Sequence, residues 1–342
     1  MISIRDITRA WNRFFFEPIS PLPIAVYRIL LGLLVLANQF LSWGDVLRWY
    51  GPRGVVSFET AWRISGGDGL NLFVWLPHTN WCVWLVYIAS CFFAVTLALG
   101  LFTRASALLT FLLIVTLDHR NALILNSGDT FLRIATFFVI FSPAGKALSL
   151  DNWLAKRRGK QSPGQQLYAP WAMKLIQLQL AFLYFYAFVW KVTGTMWLSG
   201  TAIYFTSRLI EFWRFPVPYI FEHMWTIKLW SWFTLLIEFA LGTLIWIKEL
   251  RYPVLIAGIL LHLGIDYSMN IPLFGPIMVA AYVTFVEPAD LKRWLARFSS
   301  AAKRKEPLVD LAPGHSRRDI SFRGVVRGTS RGSFPSPREC PD

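Results

Sequence analysis

The amino-acid sequence predicts an all-α fold: a polytopic integral membrane bundle of about eight transmembrane helices, with interfacial helices on its outer face. Hydrophobic residues make up 55% of the 342 residues and the mean hydropathy is positive, whereas soluble domains contain about 45–50% apolar residues even with glycine counted. The 34 lysines and arginines concentrate between the apolar runs and beyond Pro288. That distribution is typical of residues that set membrane topology.

Eight apolar runs are predicted to cross the bilayer. They are 22–41, 81–101, 105–117, 130–142, 171–191, 229–247, 252–269 and 273–286. Several are shorter than the ~20 residues that a helix needs to cover ~30 Å of hydrocarbon. We therefore expect neighbouring helices to cover the polar ends of the short runs.

The runs divide the chain into three parts. Residues 1–20 carry arginines among aromatic residues and predict an amphipathic helix on the membrane surface. Residues 21–290 form the transmembrane domain, in which the aromatic-rich connections 45–80 and 193–227 predict interfacial helices. Residues 291–342 are basic and rich in Ser, Gly and Pro, so we expect a disordered cytoplasmic tail.

The connections between runs alternate in charge, and this alternation predicts the orientation. Every second connection is basic, as is the tail, so the positive-inside rule places both termini in the cytoplasm of a bacterial-type inner membrane. The basic residues thus predict contact with a lipid bilayer and no nucleic-acid partner. The three cysteines show no disulfide framework and no metal-ligand spacing, so no metal is expected.

With that topology, ionisable side chains from separate runs meet in the outer half of the bilayer. Lys191 is the most informative of them, because an ammonium in hydrocarbon costs free energy and is rare there. Desolvation lowers the pKa of an amine, so such a lysine can act as a base. The alternative is that the Lys191 side chain only extends to the lipid headgroups. The other members are Asp118, His119, Arg120, Asp129, Arg133, His262 and Asp266.

The spacing within this group predicts two i,i+4 pairs, Asp129 with Arg133 and His262 with Asp266, and each pair can equally be structural. Glu238 is expected midway along its run, outside the group. No nucleophile elbow, HExxH or P-loop is present. Proton chemistry on a lipophilic substrate fits best, with Lys191 as the base and His262–Asp266 as a relay.

The segment 177–204, which contains Tyr184, Lys191 and Trp197, resembles the core motif of the horizontally transferred transmembrane (HTTM) family, which includes vitamin K-dependent γ-glutamyl carboxylase. The segments 117–133 and 262–274 also resemble family patterns, and the resemblance covers residues 19–290. It implies that Lys191 deprotonates a reduced quinone such as menaquinol or vitamin K hydroquinone.

Under this resemblance, the catalytic residues are Lys191, His262 and Asp129. The residues expected to bind the quinone are Trp197, Tyr184, Asp266, Arg133 and His119. Asp129 stands where the carboxylase has a histidine, and the carboxylase's large C-terminal region has no counterpart in the sequence. The alternative function is that of a non-catalytic membrane protein that aids maturation or export of a partner peptide or protein.

Overall fold

The computed structural model describes residues 3–64, 70–159 and 166–303. These residues contain α-helices, short 3-10 turns and one isolated bridge between Ile19 and Tyr168. The α-helices are α1 (Ile4–Phe16), α2 (Leu22–Ser42), α3 (Val46–Tyr50), α4 (Phe58–Ile64), α5 (Asn80–Leu99), α6 (Thr103–Arg120), α7 (Ser127–Phe141), α8 (Leu150–Arg157), α9 (Trp171–Val192), α10 (Thr195–Leu198), α11 (Ala202–Thr206), α12 (Met224–Gly242), α13 (Lys248–Ser268), α14 (Phe274–Ala281) and α15 (Pro288–Lys303).

Eight of these helices pack into one bundle and alternate in direction along the chain. The bundle helices are α2, α5, α6, α7, α9, α12, α13 and α14. Their contacts define two ends. At the first end, which we call the Arg28 end, α2 and α9 begin and α5 and α7 end. At the second, which we call the Lys191 end, α9 and α13 end and α7 begins.

Four helical segments are long and apolar enough to cross a membrane. They are Leu22–Tyr50, Asn80–Leu99, Trp171–Val192 and Lys248–Ser268. The remaining bundle helices are shorter, less hydrophobic or more charged. The predicted membrane protein with an all-helical fold is therefore confirmed. Large apolar side chains also point outward from the bundle, among them Leu85, Phe92 and Phe182, as expected where the surrounding solvent is lipid.

Two hydrophobic clusters hold the bundle together. The larger one takes buried side chains from all eight bundle helices, including Leu31, Phe131, Ile176, Leu241 and Met278. The smaller one packs Val46, Tyr50 and Phe73 against α5 and α6. It fixes most of the long connection between α2 and α5 at the Lys191 end.

The observed helix bounds correct several predicted ones. The sixth run is predicted at 229–247, but α12 spans Met224–Gly242, because the tryptophans and Lys228 lower the hydropathy of its first turns without preventing a helix. The eighth run, 273–286, is split into α14 and a 3-10 turn, Tyr282–Phe285. The short helices α3, α4, α10 and α11 lie in the two connections predicted to be interfacial.

A helix lies near each end of the chain, α1 at the N-terminus and α15 before residue 304. At the N-terminus, α1 is capped by Ser3 and leaves Ile4, Ile7 and Trp11 exposed. The described residues up to Arg297 form one compact unit, and a second unit begins at Phe298. Helix α15 takes in the start of the segment predicted to be disordered, 291–342. Residues 304–342 lie outside the described residues, and the prediction for them is untested.

A fully buried arginine ties the end of α5 to the connection after α7 at the Arg28 end. The Arg28 guanidinium donates hydrogen bonds to the carbonyls of Ala144 (3.1 Å), Ala98 (3.3 Å) and Leu148 (2.6 Å). Gly100 makes room for it: its φ is 69°, and a Cβ there would lie 2.1 Å from Arg28 Nη1. The guanidinium thus satisfies carbonyls at the end of α5 and after α7 that have no further turn of helix to pair with.

We predict that Arg28→Met destabilises the protein by about 3 kcal/mol or more, because each hydrogen bond from a charged donor contributes roughly 1.5–3 kcal/mol and three carbonyls lose their partner. Gly100→Ala should destabilise for the steric reason given above. Unfolding in a denaturant titration of the detergent-solubilised protein measures both. Arg53→Met, at an exposed arginine, is the control; an equal effect there would contradict the assignment.

Candidate functional site

Lys191 forms an ion pair with Glu238, which projects from the neighbouring helix α12. The Lys191 Nζ–Glu238 Oε1 distance is 2.6 Å, and the two side chains are 25% and 8% exposed. Helices α9 and α12 approach closely below the pair, since a Cβ on Gly242 would lie 2.9 Å from Phe185 Cβ. Glu238 Oε2 has no hydrogen-bond partner among the described residues, so one carboxylate oxygen remains free to accept.

The position expected for Glu238, outside the group around Lys191, is therefore wrong. The error arises because α12 is displaced along its axis relative to α9. Its first turns pack beyond the end of α9, where Ser231 Oγ donates to Gly200 O (3.1 Å) and Trp232 Nε1 donates to Leu198 O (3.1 Å). One signal could have found the pair: Glu238 is the single acidic residue of α12, and such a residue in an apolar helix needs a basic partner.

Trp197 completes the surroundings of the Lys191 ammonium. Nζ lies 5.3 Å from the centroid of the Trp197 ring, within the range of a cation–π contact. The chain reaches this position through a tight turn, in which Thr201 N donates to Met196 O (2.8 Å) and Gly200 adopts a φ of 77°. We call Lys191, Glu238 and Trp197 the Lys191 group.

A second polar group lies deeper in the bundle. Tyr184 Oη is 2.6 Å from His262 Nε2 and 2.7 Å from Tyr282 Oη, and His262 is only 2% exposed. His262 Nδ1 has no hydrogen-bond partner among the described residues. We call these three residues the Tyr184 triad. Tyr184 and Lys191 lie two turns apart on one face of α9, about 10.5 Å along an axis that rises about 1.5 Å per residue.

The predicted pair of His262 and Asp266 does not form. The carboxylate of Asp266 instead lies 3.9 Å from Arg214 Nη1, which also donates to Asp266 O (3.2 Å). The neighbours of Asp266 account for this difference. Its carboxylate is turned toward Arg214 and packs against Gly275, where a Cβ would lie 2.9 Å from Oδ2.

The predicted pair of Asp129 and Arg133 is replaced by other contacts. Asp129 closes the N-terminus of α7 by accepting from Asn126 N (2.8 Å), and its other oxygen accepts from Asn38 Nδ2 (3.3 Å). Arg133 instead reaches Asp118 (3.4 Å). A capping box explains the change, because Asp129 is the third residue of its helix and turns back to the cap. A cavity of about 180 Å³ is lined by Asn38, Asp118 and Asp129.

The ionisable residues predicted to share one pocket thus lie in several places. Lys191 and Trp197 are together, Tyr184 and His262 are together, and Asp129 lies in a separate cavity. His119 contacts a backbone carbonyl, with Nδ1 2.9 Å from Leu70 O. In the described ranges no group of three or more His, Cys, Asp or Glu side chains could hold a metal ion.

Both polar groups lie inside a segment that matches a known family: residues 16–289 match the HTTM domain. The chain belongs to the HTTM family. This confirms the resemblance read from the sequence and makes the chain a membrane protein of the carboxylase-related family. No curated protein and no solved structure matches it. Within this HTTM protein, the Lys191 group and the Tyr184 triad combine buried titratable side chains with unpartnered polar atoms.

We predict that the Lys191–Glu238 pair contributes strongly to stability. Lys191→Met should cost roughly 3 kcal/mol or more, because it leaves a buried carboxylate without a counterion. Glu238→Gln should cost less, because the Lys191 side chain is the more exposed of the two. The double variant should recover part of the loss, with a coupling energy of about 1–3 kcal/mol. Denaturant unfolding of the four proteins measures this coupling.

The exposed pair Arg63–Glu59 provides a matched control, since its N–O distance is 2.5 Å but its side chains are 76% and 74% exposed. Its coupling energy should not exceed about 0.5 kcal/mol. Equal coupling energies for the two pairs would show that burial does not strengthen the Lys191–Glu238 contact.

Proposed function

We propose that this HTTM protein removes a proton from a quinol-like lipid, with Lys191 as the base. The observation that carries the proposal is the contact between Lys191 Nζ and Glu238 Oε1 at 2.6 Å, with the carboxylate side chain only 8% exposed. A reduced quinone is the substrate class, menaquinol and vitamin K hydroquinone being the members to test first. The proposal requires no metal.

An ammonium cannot accept a proton, so the ion pair must first change its protonation state. The hydrogen bond between the two side chains offers the route: the proton on Lys191 Nζ moves to the Glu238 carboxylate and leaves a neutral amine beside a neutral acid. Both states carry no net charge, and a low-dielectric environment brings the un-ionised pair closer in free energy to the ion pair than water does. The amine then takes the hydroxyl proton of the quinol, which becomes a monoanion reactive toward dioxygen.

The surroundings of Lys191 favour a substrate that arrives from the lipid. Trp190 and Tyr186 lie within two turns of Lys191, and both are exposed on the outer surface of α9. The Trp197 ring supplies an apolar wall beside Nζ. An aromatic ring with a hydrocarbon tail fits such a site better than a charged soluble metabolite does.

The Tyr184 triad is the proposed route for the proton after the first transfer. Its hydroxyls and imidazole form a continuous hydrogen-bonded chain, and hydroxyl and imidazole groups both donate and accept. His262 and Tyr184 therefore belong to the proposal as relay groups. Asp129, Arg133, Asp266 and His119 have partners elsewhere, as described above, and the proposed step does not use them.

We predict that the protein in nanodiscs oxidises menaquinol or vitamin K hydroquinone under oxygen, with the epoxide detected by mass spectrometry. Lys191→Arg is the decisive variant. It preserves the positive charge next to Glu238, but guanidinium is not a base near neutral pH. The rate should fall by about 100-fold or more, the usual contribution of a general base. Glu238→Gln should also lower it, because the amide cannot take the proton.

Lys228→Ala serves as the control: this exposed lysine lies on the same helix as Glu238, and its loss should leave the rate unchanged. Unfolding curves establish that each variant is folded. Activity retained in a folded Lys191→Arg protein would exclude Lys191 as the base. If the unmodified protein forms no epoxide above background, the alternative function in maturation or export of a partner takes precedence.

We further propose that all eight bundle helices cross the inner membrane, with both termini cytoplasmic and the Lys191 end outside. The alternation of helix direction supports this. We predict that a membrane-impermeant maleimide labels Glu211→Cys in intact cells and Lys146→Cys only after permeabilisation, in a background where Cys82, Cys91 and Cys340 are serines. Both positions are charged residues in connections. The reverse labelling pattern would contradict the orientation.

A further inference from the structure

A large cavity opens at the Arg28 end, opposite the Lys191 group. It has a volume of about 690 Å³ and lies between α1, the start of α9, the start of α13 and the turn after α14. We propose that this cavity, which we call the Lys174 cavity, binds the phosphate headgroup of an anionic phospholipid. The site is separate from the proposed quinol chemistry and does not depend on it.

The charged side chains of the cavity leave an excess of positive charge. Its walls carry the cations Arg13, Lys174, Lys248 and Arg251, against the anions Glu17 and Glu287. Both carboxylates already have arginine partners: Glu17 Oε2 lies 3.2 Å from Arg13 Nε, and Glu287 Oε1 lies 2.6 Å from Arg251 Nη1. The two lysines have no carboxylate within ion-pair distance among the described residues, so they remain to bind an anion.

The Lys174 ammonium is held against an aromatic ring, and its negatively charged partner would have to come from a ligand. The side chain is half-buried on α9, and Nζ lies 4.8 Å from the centroid of the Phe14 ring. A cation–π contact orients an ammonium without neutralising it. A partly desolvated lysine binds a phosphate oxygen more strongly than a fully hydrated lysine does. Folding has already removed part of its water, so less free energy is spent on desolvation when the phosphate binds.

A second, independent observation points to a ligand that also donates a hydrogen bond. Gln177 lies one turn from Lys174, is only 3% exposed and lines the same cavity. Its Nε2 donates to Thr284 O (2.5 Å), but its Oε1 has no partner among the described residues. A buried carbonyl oxygen calls for a donor. A hydroxyl group on the headgroup, as in phosphatidylglycerol, would supply one beside the phosphate.

The position of the cavity favours a lipid over a soluble phosphate. Helix α1 forms one wall and exposes Ile4, Ile7 and Trp11 along its length, as expected of a helix lying in the membrane interface. Partly exposed apolar side chains, including Phe14 and Trp246, stand beside the charged ones. They offer contact to acyl chains that inorganic phosphate would leave unused.

We predict that the full-length protein in detergent, observed by native mass spectrometry, binds dimyristoyl phosphatidylglycerol in preference to phosphatidylcholine with the same chains. The double variant Lys174→Gln/Lys248→Gln should weaken phosphatidylglycerol binding by about 25-fold, since each basic group near an anionic lipid contributes about fivefold. Lys174→Arg/Lys248→Arg keeps both charges and should retain the preference.

The double variant Lys146→Gln/Lys156→Gln is the control, because it removes two exposed charges from the same end of the molecule and should leave the preference unchanged. This control distinguishes lipid binding in the Lys174 cavity from non-specific attraction of an anionic lipid to a basic surface. An equal loss in both double variants, or no preference in the unmodified protein, would overturn the proposal. Displacement of the lipid by inorganic phosphate at equimolar concentration would also overturn it, because the acyl chains would then contribute nothing.

Discussion

The structure depends on satisfying backbone polar groups that neither water nor lipid can reach. Such groups cost several kcal/mol each when left alone in hydrocarbon, and short connections between helices expose many of them. Two fully buried arginines meet this need at opposite ends of the bundle. Arg28 donates to carbonyls at the end of α5 and after α7, and Arg120 donates to Gly51 O (2.6 Å) and Val56 O (2.9 Å). With these connections fixed, the helices α2, α5, α6 and α7 have a defined register against which the other four can pack.

That register brings buried charges into matched pairs. Lys191 meets Glu238 because α12 is displaced along α9, and Arg133 meets Asp118 across α6 and α7. Each pair is neutral overall, so the bundle can hold ionised side chains without exposing a net charge to lipid. The same neutrality gives the Lys191 pair its chemical interest, because one proton can move between the partners without creating charge. Stability and the proposed reactivity therefore have a common origin.

The sequence was sufficient for the helical class and the family, because hydropathy and charge distribution are properties of each helix by itself. It was not sufficient for the partners. Spacing on one helix suggested His262 with Asp266, yet the imidazole contacts Tyr184 of α9 and the carboxylate contacts Arg214. Such pairings depend on the axial offset between helices, to which hydropathy is insensitive. Glu238 shows the size of this effect, since an offset of a few turns moved it from an isolated position to direct contact with Lys191.

The two lysines of α9 show what distinguishes a lysine that reaches toward the headgroups from one that is held in place. Lys174 and Lys191 are 17 residues apart, about 25 Å along the helix axis, a separation close to the ~30 Å thickness of a hydrocarbon layer. Lys174 faces an open cavity and has no carboxylate partner among the described residues, which is the setting of a lysine that meets lipid phosphate. Lys191 is enclosed by a carboxylate and a Trp197 ring. A lysine that only extended to the headgroups would need neither, so these contacts favour the reading of Lys191 as a proton-transfer group.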